Sequence, residues 1–322
     1  MYGAVKWENM NDDSIALSTA PMFHVTGMQH SLNSIIFVGG TLVIMRRWNP
    51  ENAGLLIEKY KCTHWANVPT MVVDLLASKK NNETDLSSLS NIFGGGASMP
   101  EAVAQQLFDR CGIHYMEGYG MTEATHQMAS NPLPPLEQKP GSVGLEAGPK
   151  IRIAHEAENH LIDGTGEVVI SGPNVTPGYE NNLEANKTSF FTFKGERWFR
   201  TGDQGAFDSD GYLSLTGRLK EIINRGGEKI SPLEVDEVLM DHPSIVQVVT
   251  FAVPHKKLGE DVAAAVVLED GSKVTESDLK AFASDRMVDF KVPKKIVILA
   301  EIPKGATGKL QRIGLAETLG LT

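Results

Sequence analysis

Cysteine is scarce, with only Cys62 and Cys111 in 322 residues. Two thiols build neither a disulfide framework nor a cysteine metal cluster, so a reducing compartment is the expected setting. A basic surplus is missing as well. The formal net charge is −10, from 40 Asp and Glu against 30 Lys and Arg. That balance argues against a phosphate-tracking nucleic-acid surface and leaves room for a local basic pocket. The longest apolar stretch, residues 34–45, is broken by Gly39-Gly40 and is too short to span a bilayer. The first residues lack the basic start and apolar run of a secretory signal. The terminal Gly320-Leu321-Thr322 is no peroxisomal address, and no repeat or low-complexity tract occurs. The expectation is a cytoplasmic protein without a transmembrane segment or a nucleic-acid partner.

Apolar material is ample, at 41% hydrophobic and 22% charged residues, enough for two or three packed domains. Residues 14–18 and 40–45 read as strands, and residues 50–60 and 69–79 as helices. A strand end at 91–94 and a helix over 100–111, with Pro100 early in its first turn, continue the alternation. Such alternation predicts an α/β fold with a parallel sheet and crossover helices. The polar, proline-rich stretch 131–140 marks a boundary. Short strands at 168–170 and 212–215 then suggest a small β-rich module. Beyond Gly217, a helix over 233–241, strands over 246–253 and 263–268, and a helix over 275–287 predict a third, α+β unit.

Two glycine clusters imitate common nucleotide motifs and fail them. Gly118-Tyr119-Gly120-Met121-Thr122-Glu123 has Glu123 where a dinucleotide fingerprint needs its third glycine. Ala306-Thr307-Gly308-Lys309 ends like a phosphate loop, but Pro303 replaces the upstream glycine and Leu310 the magnesium-binding hydroxyl. Other chemistry remains open. In Gly94-Gly95-Gly96-Ala97-Ser98 side chains are nearly absent after a strand, so backbone could approach a flat ligand or simply turn tightly. Next to Glu117, Tyr119 supplies a face for a base, Thr122 a hydroxyl for a phosphate and Glu123 a carboxylate for a hard cation.

Segment 118–123 resembles the core motif of adenylate-forming enzymes, which include acyl-CoA synthetases, firefly luciferases and peptide-synthetase adenylation domains. Further motifs are similar to that family's and follow in its order: Pro21-Met22-Phe23-His24-Val25-Thr26-Gly27, Gly166-Glu167 through Gly178-Tyr179, Trp198-Phe199-Arg200-Thr201-Gly202-Asp203, Gly217-Arg218-Leu219-Lys220-Glu221 and Pro303-Lys304-Gly305-Ala306-Thr307-Gly308-Lys309. The resemblance implies a partial large AMP-binding domain (1–131) with mixed sheet and helices, a β-rich subdomain (132–216), a hinge (217–221) and a mobile carboxy-terminal domain (222–322). It implies ATP or AMP, coenzyme A and Mg2+ as cofactors, and ligation of a carboxylic acid to CoA as the activity.

By the same resemblance, Asp203 binds ribose hydroxyls and Arg218 ribose and phosphate, functions for which a carboxylate and a guanidinium fork are suited. Against these stand a turn Asp and a surface ion pair. Gly94, Gly95, Gly96, Ala97, Ser98, Glu117, Gly120 and Met121 line the nucleotide, and Lys220 is the hinge. Lys309 bridges the acid carboxylate and the α-phosphate. Gly226 and Gly227 face the pantetheine arm, or form a plain hairpin turn. His24 stands beside the acyl pocket, or is a packed core residue. Thr122, Glu123, His24 and Lys309 are the expected catalytic set, with Glu123 the magnesium ligand.

The family's Ser/Thr/Gly-rich phosphate loop lies upstream of the segment at 21–27 and has no counterpart here. The sequence therefore reads as truncated, with adenylation impaired and a missing amino-terminal segment or a second copy as partner. Segment 122–134 is similar to the oxalate–CoA ligase branch, with His126 a polar pocket end for a dicarboxylate. Segment 94–97 is closer to fatty or aromatic acyl-CoA synthetases, with Met22, Met28, Val68 and Met71 as an apolar tunnel. A fatty or other acyl acid is the main expectation. Oxalate, a carrier-protein adenylation unit and an inactive nucleotide-binding fragment are the alternatives.

Overall fold

A computed structural model describes residues 2–96, 99–303 and 310–322. The chain divides into two compact units, one of residues 1–201 and 205–215, the other of 202–204 and 216–322.

The first unit opens with helix α1 (Tyr2–Trp7) and strand β1 (Ile15–Ser18). A π-helical turn (Gly27–Asn33) then runs into α2 (Ser34–Val38). The alternation continues through β2 (Thr41–Ile44), α3 (Pro50–Tyr60), β3 (His64–Asn67), α4 (Pro69–Ala77), β4 (Asn91–Gly95), α5 (Glu101–Cys111) and β5 (Tyr115–Met121). Antiparallel β6 (His126–Ser130) and β7 (Leu145–Glu146) complete a seven-stranded sheet in the order β2-β1-β3-β4-β5-β6-β7. The β1–β5 part is parallel, so the sheet is mixed. Leu17, Trp65 and Ile92 from the strands meet Ile57, Val72, Leu75 and Leu107 from the helices in one core.

Local chemistry accounts for the helix ends. Asn49 accepts the Asn52 N–H through its side chain, Pro50 occupies the first turn, and Lys61 closes α3 in a left-handed conformation. Helix α4 ends at Ala77, before the expected Lys79, because Lys79–Glu83 tighten into a 3-10 turn. Pro100 caps α5 from outside its first turn. Strand β2 is the outermost of the sheet, with Ile44 exposed and Arg46-Arg47 following after Met45.

A second sheet holds β8 (Lys150–Ala154), β9 (Gly166–Ser171), β10 (Phe190–Phe193), β11 (Glu196–Phe207) and β12 (Leu213–Arg218), with α6 (Leu183–Ser189) between β9 and β10. Beyond β12 the second unit holds a hairpin of β13 (Ile223–Arg225) and β14 (Glu228–Ile230), then α7 (Pro232–Met240). Strands β15 (Ile245–His255) and β16 (Gly259–Leu268) pair antiparallel over ten residues or more, longer than sequence patterning indicates. Helix α8 (Glu276–Ser284), started by a Thr275/Asp278 capping box, returns the chain to β17 (Lys295–Leu299), parallel to β16. Helix α9 (Leu315–Thr318) follows. Val235, Leu239, Val262, Val266, Leu279 and Ile296 form this unit's core. No helix among the described residues is long and apolar enough to cross a membrane.

Candidate active site

In the first unit Gly94–Gly96 and the segment from Glu117 to Glu123 lie at the ends of the adjacent strands β4 and β5. Register pairs Gly94 with Glu117 and Gly95 with Gly118. A Cβ at Gly94 would lie 1.6 Å from the Tyr115 hydroxyl oxygen, and one at Gly120 2.3 Å from the His126 carbonyl oxygen. Glycine is thus demanded by the protein's own strand packing, a reason invisible in the sequence. Gly96 follows β4 in the left-handed region (φ +82°); Ala97 and Ser98 lie outside the described residues. Tyr119 is only 9% exposed, packed with Met128, Ala129 and Val143. That leaves little of its ring for a base to cover. Glu117, Gly120 and Met121 are half-buried.

Thr122, exposed, starts a 3-10 turn through Ala124. This turn is stitched to residues 174–179, part of a second motif region far away in sequence. The Tyr179 hydroxyl donates to Glu123 Oε1 at 2.8 Å, Thr176 N–H donates to the Glu123 carbonyl at 2.7 Å, and the Asn174 amide donates to the Ala124 carbonyl at 2.8 Å. Burial first, and the bond to Glu123 second, push the Tyr179 hydroxyl up to about 12, so it stays protonated and donating. Among the described residues no group of three His, Cys, Asp or Glu converges on a metal position. Glu123 alone suits a magnesium ion that takes its other ligands from phosphates and water, as this cation commonly does.

Histidines adjoin this region through His126, the register partner of Met121. His24 is half-buried, and its Nδ1 accepts the Thr26 N–H at 3.2 Å. The Thr26 hydroxyl lies 2.9 Å from His126 Nε2, and His126 Nδ1 lies 2.5 Å from His30 Nε2. His30 Nδ1 in turn bonds the Glu8 carboxylate, and both of these residues are 1% exposed. Thr125 and His126 both hold positive φ, +54° and +89°, uncommon for residues with a Cβ. Glu8 and His30 escaped the sequence reading because they belong to no motif; the contacts span 22 and 96 residues of chain. The four apolar tunnel candidates do not behave alike: Met71 packs against the Trp65 core, Met28 is exposed, and Met22 and Val68 are half-buried.

In the second unit, Asp203 is 6% exposed and pairs with Arg218, whose Nε lies 3.1 Å from Asp203 Oδ1. Lys220 is exposed in the turn after β12. Gly226 and Gly227 are the two-residue turn of the β13–β14 hairpin, with φ of +63° and +100° and Arg225 paired to Glu228. Both positive angles suit glycine in such a hairpin. Lys309 lies outside the described residues. Arg312, shortly after it, is largely buried against two carboxylates: Nε donates to Glu221 at 3.0 Å and Nη1 to Asp236 at 2.9 Å. Burial pushes the Asp236 carboxyl up to about 6, against the opposing pull of Arg312.

Comparison with known proteins identifies the family. Residues 1–180 match the model of the AMP-binding enzyme family, and residues 234–309 the model of the AMP-binding enzyme C-terminal domain. Oxalate–CoA ligase of Arabidopsis thaliana is 45% identical over 299 residues, 91% of this chain and 57% of that protein. Oxalate–CoA ligase of Saccharomyces cerevisiae is 42% identical over 299 residues, 92% of this chain and 54% of that protein. ATP-bound MatB from Rhodopseudomonas palustris superposes with a TM-score of 0.91 at 26% identity, over 98% of this chain and 62% of that one. The chain thus spans a little over half the length of the curated relatives it matches. On its sequence and its α/β architecture, the chain belongs to the AMP-binding enzyme family.

Proposed function

We propose that the chain carries the chemistry of an AMP-forming acid–CoA ligase. The observation that carries this reading is the stitching of Thr122–Ala124 to residues 174–179, with Tyr179 holding Glu123. It joins two segments that sequence alone linked only by resemblance. In the first half-reaction, the acid carboxylate attacks the α-phosphorus of ATP, giving acyl-adenylate and pyrophosphate. Lys309 offsets the repulsion between these two anions and stabilises charge on the α-phosphate. Asp203 accepts the ribose hydroxyls, Arg218 holds ribose and phosphate oxygens, and Thr122 donates to a phosphate. Gly94–Ser98, Glu117, Tyr119, Gly120 and Met121 border the nucleotide, and Glu123 would hold Mg2+, which would offset phosphate charge. In the second half-reaction, the CoA thiol attacks the acyl carbon, AMP leaves, and the thiol proton passes to solvent. The Gly226-Gly227 turn lies along the pantetheine arm, Lys220 is the hinge, and His24 borders the acid.

The acid is the less constrained part. A short dicarboxylate such as oxalate is favoured over a fatty acid by half-buried His126 and its bonds to Thr26 and His30. The two oxalate–CoA ligases among the relatives point the same way.

The test supplies the folded chain with either acid plus ATP and CoA, or acyl-adenylate plus CoA, and measures acyl-CoA by mass spectrometry. Lys309→Ala is expected to abolish most product from ATP, a loss on the order of 10²–10³-fold, and to leave the adenylate route nearly intact. Calorimetry should show AMP binding that Asp203→Ala weakens. A folded chain that neither binds AMP nor consumes acyl-adenylate would overturn the proposal.

A further inference from the structure

We infer that Arg312 and Glu221 are positioning residues that fix the turn following Arg218, and so present the Arg218 guanidinium to the ribose and phosphate of the nucleotide. The inference rests on the acid-activating reading above.

Arg218 is not placed by burial. Its side chain is 62% exposed, and its Nε lies 3.1 Å from Oδ1 of buried Asp203. A long side chain in that setting takes its direction from the backbone that carries it, so a binding role demands a well-held backbone. Bonds on both sides supply it. Before Arg218, the Thr216 carbonyl accepts from the hydroxyl of Ser231, the N-cap of α7. After it, the Glu221 and Ile222 N–H groups both donate to the Arg218 carbonyl, at 2.8 and 3.0 Å, and the Leu219 N–H donates to the Gly202 carbonyl at 2.9 Å.

The far end of this turn is closed by Arg312. Glu221 Oε2 accepts from Arg312 Nε at 3.0 Å, while Arg312 Nη1 donates to Asp236 Oδ2 at 2.9 Å and to the Thr250 carbonyl at 2.6 Å. Asp236 is held in turn, since its Oδ1 accepts the Thr250 N–H at 2.6 Å. Asp236 lies on α7 and Thr250 on β15, whose Val235, Leu239 and Val248 share the core of the second unit. Residues 217–220 therefore stand between two fixed points, one at the start of α7 and one reached from its middle through Arg312. All of these residues, with Asp203 and Arg218, belong to the second unit.

Stability alone explains such a cluster poorly. Well-packed apolar side chains commonly serve a buried site as well as an ion cluster does, or better. A guanidinium adds direction, because its planar fork donates along a few fixed lines. Here the lines lead to partners 91, 76 and 62 residues away in the chain, and one of them is the carboxylate that ends the Arg218 turn.

The experiment uses the full chain with AMP as the probe. Glu221→Gln keeps an acceptor for Arg312 and removes the charge, so calorimetry should show AMP affinity lowered by about tenfold, the size of one charge-assisted contact weakened. Arg218→Ala should lower it at least as far. Adding Glu221→Gln to Arg218→Ala should then change affinity by less than about twofold, because Glu221 acts through Arg218. Wild-type affinity in folded Glu221→Gln would overturn the inference, and so would losses that simply add. Hydrogen exchange gives a readout without ligand. The Glu221 and Ile222 amides of wild type should exchange as slowly as those of α7, and Arg312→Lys should speed them while α7 stays slow. Unchanged rates in that variant would overturn the inference; fast exchange of both amides in wild type would do so even if no variant folds. A wild type that does not bind AMP would count against the acid-activating reading, while the exchange rates still judge the held turn.

Discussion

The two units each bury a cluster of ionisable groups, and the clusters are built from opposite materials. In the first unit Glu8, His30 and His126 form a line in which every ring nitrogen can give or take a proton. In the second, Arg312 holds Glu221, Asp236 and the Thr250 carbonyl. A guanidinium keeps its charge and its fork at any ordinary pH. That cluster is an anchor, tying the turn after β12 to α7 and β15 through one side chain. The imidazole line links the residue after α1, the π-helical turn and β6 through ring nitrogens, each engaged by a protein partner. Burial alone does not distinguish the two; the proton chemistry does.

The sharpest way to break the comparison is to remove the anchor. Arg312→Ala leaves two carboxylates without their partner and is expected to destabilise the second unit by about 3–5 kcal/mol, read as a fall in its urea midpoint. Asp236 gives the next effect. Its carboxyl is raised from the ordinary range to about 6 by burial, so between about pH 4 and 6 the folded state binds the proton that the unfolded state has lost. Stability contributed by Asp236 therefore falls as pH rises through that window, by up to about 2–3 kcal/mol. Asp236→Asn should flatten the slope in denaturation curves taken from pH 4 to 7. Glu8→Gln preserves an acceptor for His30, and about 1–2 kcal/mol is expected; a loss as large as that of Arg312→Ala would mean that the imidazole line is also an anchor. Tyr179→Phe removes one hydroxyl from Glu123, for about 0.5–1.5 kcal/mol by thermal melting, with a larger effect on acyl-CoA formation than on stability.

Helix α3 was legible down to its ends, because Asn49, Pro50 and an apolar stripe are local signals. The Gly226-Gly227 turn was legible as one of two readings, since adjacent glycines suit a two-residue hairpin turn. Strand β3 was not, since His64 and Asn67 break its apolar pattern and are buried only because Glu8, Thr63 and Trp65 supply partners. The π-helical turn at Gly27–Asn33 has no recognisable composition. At the candidate site, the motif residues could be named from sequence and the reasons for some of them could not. Gly94 and Gly120 are fixed by Tyr115 and His126, and Glu8 and His30 join it only through contacts made on folding. Interactions that depend on which strands become neighbours leave no trace in a local pattern.

Strand β2 has a consequence for handling the protein. Among the described residues no strand pairs its outer edge, and Ile44 is 62% exposed. Such a row of backbone donors and acceptors is a template for another chain to extend. Arg46-Arg47, both exposed and next along the chain, act as gatekeepers, since two edges meeting side by side would bring four guanidinium groups together. That repulsion is electrostatic and shortens with added salt. Concentrated samples should therefore scatter more light, not less, as ionic strength rises.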